Sequence, residues 1–463
     1  MGTLQSRKAE RVSRRGMIVA GFIACAMVLG GGGSPSPAAE LAVQIAFAAA
    51  LLLWVWWART SDSRVARLPR LLFWPGAALL TLPLLQLVPL PPSVWQGLPQ
   101  RELEEATLSL LGQDGTWRAL SISPPVTLAG LLALIPAVGV MWATSKLGAR
   151  DRQRLVLSIG FLALLGAFLG ALQMASGPEA FRFYERSHRG WLTAFHANRN
   201  AAADVLLIGS LAFGSWYART RADIDASRRR LPLFIAGQVV LLVALVLTGS
   251  RAGIALGGVA LVFNWLMLRP ADLDLRTRAL FAGVAAVILG LLAMPLVLSG
   301  NSRLARVADR FDVTGDARIP LWRDSIDTLA GFWPAGSGVG TFPKAFQPFE
   351  SFEYLDPAFP NRAHNDYLEF FIEAGLMAMP ILLGGALAII ALARRAWKMS
   401  PEEHAVQLFA GGTLAVVALH SIVDYPLRNM AIACLAGVAA GLLTVTPRHK
   451  TPRSGTEGRD ELL

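Results

Sequence analysis

The residues best suited to chemistry fall in four short segments. AHNDYLEFFIEAGL sets His364, Asn365 and Asp366 just ahead of an apolar run. Asn and Asp cap helices well, because a short side chain accepts from the first unpaired backbone N–H groups, so His364 is expected where the chain enters a helix. An imidazole there can take up a proton; the plainer alternative is a cap residue bonded to a loop carbonyl. Glu369 and Glu373, four residues apart, share one helix face in a zone where a carboxylate is costly unless paired or facing water. TGSRAG places Arg251 between two strongly apolar runs at headgroup level, where a guanidinium must reach a polar cavity, a lipid phosphate or an internal carboxylate. RIPLWRDS carries Arg318 and Arg323, and HSIVDYPLRN carries His420, Asp424 and Arg428. His420 and Asp424 are one helical turn apart, placed either to line one cavity or to pair with each other.

The elements that must hold these residues follow from composition. The chain has 463 residues, 54% hydrophobic and 16% charged, with a mean hydropathy of +0.47, which marks an integral membrane protein. Its apolar runs approach the roughly 20 residues a bilayer helix needs, so a barrel of short strands is excluded in favour of an all-α polytopic fold of about twelve transmembrane helices. A basic N-terminus (1–16) precedes nine spans within 17–299, interrupted by outer loops at 92–124 and 176–200. A large outer loop (300–366), three further spans (367–446, the tenth at 367–393) and a tail (447–463) follow. About two thirds of the 43 Lys and Arg lie on connections assigned to one side, which the positive-inside rule makes cytoplasmic, with both termini. The long loops then face the outer side, and the 65 or so residues of the third are expected to fold into short helices over the membrane.

The net charge of +11 is therefore a sorting signal and implies no nucleic-acid partner. Basic residues remaining on the outer side, mostly arginines, need another reason. An anionic ligand supplies one, since a planar guanidinium grips phosphate through two parallel hydrogen bonds; pairing with Asp309, Asp312, Asp316 and Asp324 is the alternative. Cys25 and Cys434 both sit in apolar runs and build neither a disulfide framework nor a metal site, and no histidine or carboxylate spacing suits zinc. GSGVG at 336–340 lacks the Lys and Ser or Thr of a phosphate loop and reads as a structural turn, and GGGG at 30–33 as a chain reversal. In the aromatic, acidic stretch 346–360, Tyr354 and Phe359, with Trp191 upstream, are possible sugar contacts.

TGSRAG, then RIPLWRDSIDTLAGFWPAGSGVGTF, then AHNDYLEFFIEAG, in that order around one large outer loop, resemble the O-antigen ligase and polysaccharide polymerase superfamily. The resemblance covers about residues 190–430 and includes the spacing from His364 to Gly375. FHANRNAAADVLL at 195–207 is similar to an asparagine-rich segment of some members. One departure is Trp322 after Arg318, where the family often has leucine.

The resemblance implies a metal-independent, inverting glycosyltransferase of the bacterial inner membrane that needs no cofactor. Its donor would be a glycan on undecaprenyl pyrophosphate and its acceptor a glycan or lipid A core, with membrane lipids around it; the asparagine-rich segment leans towards polymerase. His364 would be the general base and Arg251 and Arg318 the pyrophosphate clamp. Arg323, Asp366, Glu369, His420, Asp424 and Arg428 form a second tier. A multi-span transporter or flippase of lipid-linked glycans is the alternative.

Overall fold

A chain surrounded by lipid has to satisfy its own backbone N–H and C=O groups, and the apolar runs accordingly form helices. The computed structural model describes residues 13–33, 36–59, 68–177, 179–220, 223–268, 318–354, 360–400 and 403–446. In chain order these hold α1 (Arg14–Leu29), α2 (Pro37–Arg59), α3 (Arg70–Gln86), α4 (Pro92–Trp95), α5 (Glu102–Leu110), α6 (Pro124–Thr144), α7 (Ala149–Ser176), α8 (Arg199–Ala218), α9 (Ile224–Leu247) and α10 (Arg251–Leu268). After the large loop begins, α11 (Arg318–Phe332), α12 (Phe342–Phe346), α13 (Asp366–Ala374), α14 (Ala378–Met399), α15 (His404–His420) and α16 (Met430–Leu442) follow. β1 (Pro89–Leu90) and β2 (Arg118–Ala119) pair antiparallel and close the 92–124 loop.

Among the described residues seven helical stretches are long and apolar enough to cross a membrane, and α15 and α16 are shorter apolar helices. The protein is thus an all-α, multi-pass membrane protein. The expected ninth span (279–299) and residues 300–317 of the large loop lie outside the described residues. The remainder of that loop does fold into helices, α11 and α12, around a small core of Phe332, Phe342, Phe346, Ala363 and Ile372.

The tenth span departs from expectation. The apolar run from 367 predicts one helix, but it is broken at Gly375, whose φ of +55° suits glycine and whose added Cβ would lie 2.1 Å from the Pro334 carbonyl oxygen. The segment before the break, α13, packs on α11, and α14 continues beyond it. Gly336, Gly338 and Gly340 all have positive φ, and this turn donates backbone bonds to the Ile372 and Glu373 carbonyls, so GSGVG is a structural turn against α13.

Helix α8 is the centre of the bundle, packed against α7, α9, α10 and α15; 89% of its apolar stretch is buried, against 11% in α2. The two ends of the bundle differ in kind. At one, Ser13 bonds Asp151, and fully buried Arg152 donates to the carbonyls of Ser145, Leu147, Leu442 and Thr444. Arg14, Arg15, Lys146, Arg394 and Arg395 belong to this end. At the other, the GGGG turn, the 179–198 loop, residues 333–354 and 360–365, and the 421–429 turn converge. Ala197 donates to Gly31, Asn429 to Gly32, and Asp366 to Ser421.

Candidate active site

Asn365 caps α13, its side chain accepting from the Leu368 N–H at 3.0 Å. His364, immediately before it, has φ of +49°, a left-handed conformation that a residue with a Cβ adopts only when its surroundings impose it. Those surroundings come from the 421–425 turn after α15. His364 Nδ1 lies 3.0 Å from Asp424 Oδ1, and its ring stands edge-to-face on Tyr425 at 4.8 Å. The Asp424 side chain is 4% exposed, whereas that of His364 is 32% exposed. With Nδ1 engaged by the carboxylate, Nε2 is the nitrogen left to act on a substrate.

Asp424 is held from three further directions. Asn200, in the first turn of α8, donates to its Oδ2; His420 Nε2 is 3.8 Å from the same oxygen; and the positive charge of Arg318 reaches it. Burial alone would push this carboxyl up, but the His364 contact, with His420 and Arg318 beyond, outweighs it and holds Asp424 down at about 2. His420 in turn places Nδ1 2.6 Å from Asp204 Oδ1 on α8. The sequence left open whether His420 and Asp424 pair with each other, and the structure gives each a closer partner on another segment.

The carboxylates of α13 face away from this pair, into a cage around Arg428. Arg428 donates to Glu373 Oε2 at 2.8 Å and lies 3.4 Å from Glu369 Oε1 and 3.7 Å from Asp366 Oδ1. Glu369 also accepts from Arg362 at 2.8 Å and from the Ala363 N–H at 3.0 Å, and Asp366 from Ser421 and the Leu427 N–H. Burial would lower the Arg428 guanidinium, but the three carboxylates raise it above its ordinary value, so it is a permanent cation. The cage fixes the 421–429 turn against α13, and thereby Asp424 against His364.

Arg318 opens α11, half-buried, within electrostatic reach of Asp424 and His420. One turn on, Trp322 donates its indole N–H to the Ala363 carbonyl at 2.9 Å, so the residue that departs from the family pattern anchors α11 beside His364. Arg323 is exposed on the outer face of α11 and stands apart from the cluster. Arg251 opens α10 after Gly249, whose missing Cβ leaves room for the Trp191 ring, itself covered by Arg199 at 5.1 Å. Gly253 packs on Ala203, which puts Arg251 at the level of α8 where Asn200 and Asp204 stand. Phe359 and the Tyr354 side chain lie outside the described residues. His196 is buried behind the GGGG turn; burial pushes its imidazole down to about 4, so it is neutral near pH 7.

Asn200, Asp204, Arg362 and Tyr425 were not singled out in the sequence. Asp204 carried a signal, a lone carboxylate within an apolar helix, which by default marks a site.

Residues 236–383 match the family model described as O-antigen ligase. The match covers about a third of the chain and supports a relation to the O-antigen ligase superfamily. No curated protein matches the chain. The O-antigen ligase segment contains Arg251, Arg318, His364 and the α13 carboxylates, while Asn200, Asp204, His420, Asp424 and Arg428 lie on either side of it. The match supports glycan transfer of the O-antigen ligase and polymerase type on lipid-linked substrates at a membrane.

Proposed function

We propose that the protein is an inner-membrane glycosyltransferase that moves an oligo- or polysaccharide from undecaprenyl pyrophosphate to a sugar hydroxyl on the periplasmic side, with inversion and without a metal, as a polymerase more than as a ligase. The observation that carries the reading is the His364–Asp424 pair at the end of the bundle opposite the basic connections. Asp424 accepts the Nδ1–H of His364, which fixes the tautomer whose Nε2 lone pair can take the acceptor hydroxyl's proton as that oxygen attacks the anomeric carbon. The bond to the carrier phosphate breaks at the same centre, and charge grows on the leaving pyrophosphate. Arg251 and Arg318, half-buried at the starts of α10 and α11, supply cations for it. Glu369 and Asp366 are committed to arginines and backbone donors, which leaves the base role to His364.

The test is purified protein in detergent with undecaprenyl-pyrophosphate-linked repeat units from the host. Product should form without nucleotide, ion gradient or added metal, and movement of donor across a vesicle wall without covalent change would indicate a transporter instead. His364→Gln, which keeps a hydrogen-bonding side chain but takes up no proton near neutral pH, should lose about 100-fold to 10,000-fold of turnover with donor binding unchanged. Retention of most turnover would make His364 a positioning group. Arg251→Lys should also fail, because an ammonium cannot reproduce two parallel bonds to phosphate; wild-type turnover at normal protein level would return Arg251 to a structural role. In cells, deletion that leaves single repeat units on the carrier supports polymerisation, and long polymers stranded there support ligation.

A further inference from the structure

Behind the His364–Asp424 pair stands a second histidine and carboxylate. His420 is the last residue of α15, Asp204 lies one turn inside α8, and each is 1% exposed. His420 Nδ1 is 2.6 Å from Asp204 Oδ1, and Nε2 faces Asp424 Oδ2 at 3.8 Å. The groups alternate His364, Asp424, His420, Asp204 in one chain of contacts leading from a half-exposed ring into the bundle.

A neutral imidazole offers one N–H and one lone pair. With its proton on Nδ1, the Nε2 lone pair of His420 would point at the Asp424 carboxylate; with its proton on Nε2, the Nδ1 lone pair would meet Asp204 at hydrogen-bond distance. Two N–H groups suit two carboxylates. Solvent offers little relief, since the cavity that Asp204 and Asp424 line together with Tyr425 and Arg428 measures about 20 Å³, room for roughly one water. Charges this close in a poorly screened interior interact strongly.

We propose that His420 is an imidazolium fixed between Asp204 and Asp424, an internal cation that keeps Asp424 ionised and so keeps the Nδ1–H of His364 pinned. His420 and Asp204 are then positioning residues that act through Asp424. The depressed Asp424 carboxyl accords with a cation on its inner side. The other charged groups facing the chain of contacts are Arg318, which reaches both His420 and Asp424, and Arg428, which lines a small cavity with Asp204 and Asp424; Arg251 opens α10, a helix packed on both α8 and α15, and Asn200 and Tyr425 are the polar neighbours. The consequence for transfer rests on the reading of His364 as the base, but the charge state of His420 does not.

Ring-nitrogen NMR of the full-length, ¹⁵N-histidine-labelled protein in detergent micelles, with its six histidines assigned by single substitutions, counts the protons on each imidazole and needs no glycan. Wild-type His420 should carry two N–H groups at pH 7.5. In His420→Gln, Asp204 and Asp424 lose the cation between them, and with only Arg318 and Arg428 at the edges they take up a shared proton, so the share of neutral His364 with its proton on Nδ1 should fall about twofold or more. The double variant His420→Gln/Asp204→Asn removes the opposing carboxylate and should restore that share, which loss of packing would not do. A singly protonated His420 in the wild type, its proton on Asp204, overturns the proposal, as does an unchanged His364 tautomer in His420→Gln. If His420→Gln does not fold, the wild-type proton count decides. A failure of transfer with a doubly protonated His420 would indict the functional reading alone.

Discussion

Asp424→Asn separates the orientation of His364 from its capacity to take up a proton. An amide at this position can turn its NH₂ towards Nδ1 and favour the tautomer with the proton on Nε2, the nitrogen that should receive one. Transfer should fall on the order of 100-fold or more in the assay above, while the protein still purifies as a folded monodisperse species; normal turnover would leave Asp424 without a positioning role. The same carboxyl gives a pH signature. Its folded value of about 2 lies below the ordinary carboxylate range near 4, so the ionised group stabilises the fold above that range and the contribution is lost as pH falls towards 2. The difference in melting temperature between wild type and Asp424→Asn should therefore stay constant from about pH 7 to 5 and narrow below about 4. His364, Arg251 and Arg318 were legible in the sequence because each sits within a local motif. Asn200 and Asp204 were not, since what gives them meaning is contact with residues more than 200 positions away.

The elements around the site add what spacing could not show. The run from 367 is apolar throughout, and hydropathy cannot distinguish one helix from two joined at a left-handed glycine. Gly375→Ala should disrupt the junction of α13, α14 and the 334–336 turn, because its Cβ would meet the Pro334 carbonyl at 2.1 Å in a conformation alanine disfavours. A large drop in thermal stability in detergent is expected; an unchanged melting curve would mean that the break is dispensable. Arg428 was legible as a candidate but not as the hub of a cage. Arg428→Met would strand three carboxylates, Glu373, Glu369 and Asp366, in the interior, at a cost of about 3–5 kcal/mol. A folded variant of wild-type stability that merely lost transfer would instead put Arg428 on the substrate.

For the molecule as a whole, the apolar runs and the uneven placement of Lys and Arg were enough to predict a helical multi-pass protein. Reporters inserted in the 145–148 connection and near residue 335 should lie on opposite sides of the membrane, the latter outside; a shared location would overturn the charge-based orientation. Nothing in the hydropathy pattern singles out the central helix. Helix α8 is among the least apolar of the candidate spans, yet it is the one enclosed on nearly every side, and it carries Asn200 and Asp204. A helix shielded by neighbours has almost no perimeter on which acyl chains can act, so a change in bilayer thickness is met by tilting of outer helices such as α2 and α14. The register between α8 and the turn bearing Asp424 should then be indifferent to lipid length. In bilayers of graded thickness, melting temperature should vary more steeply than turnover.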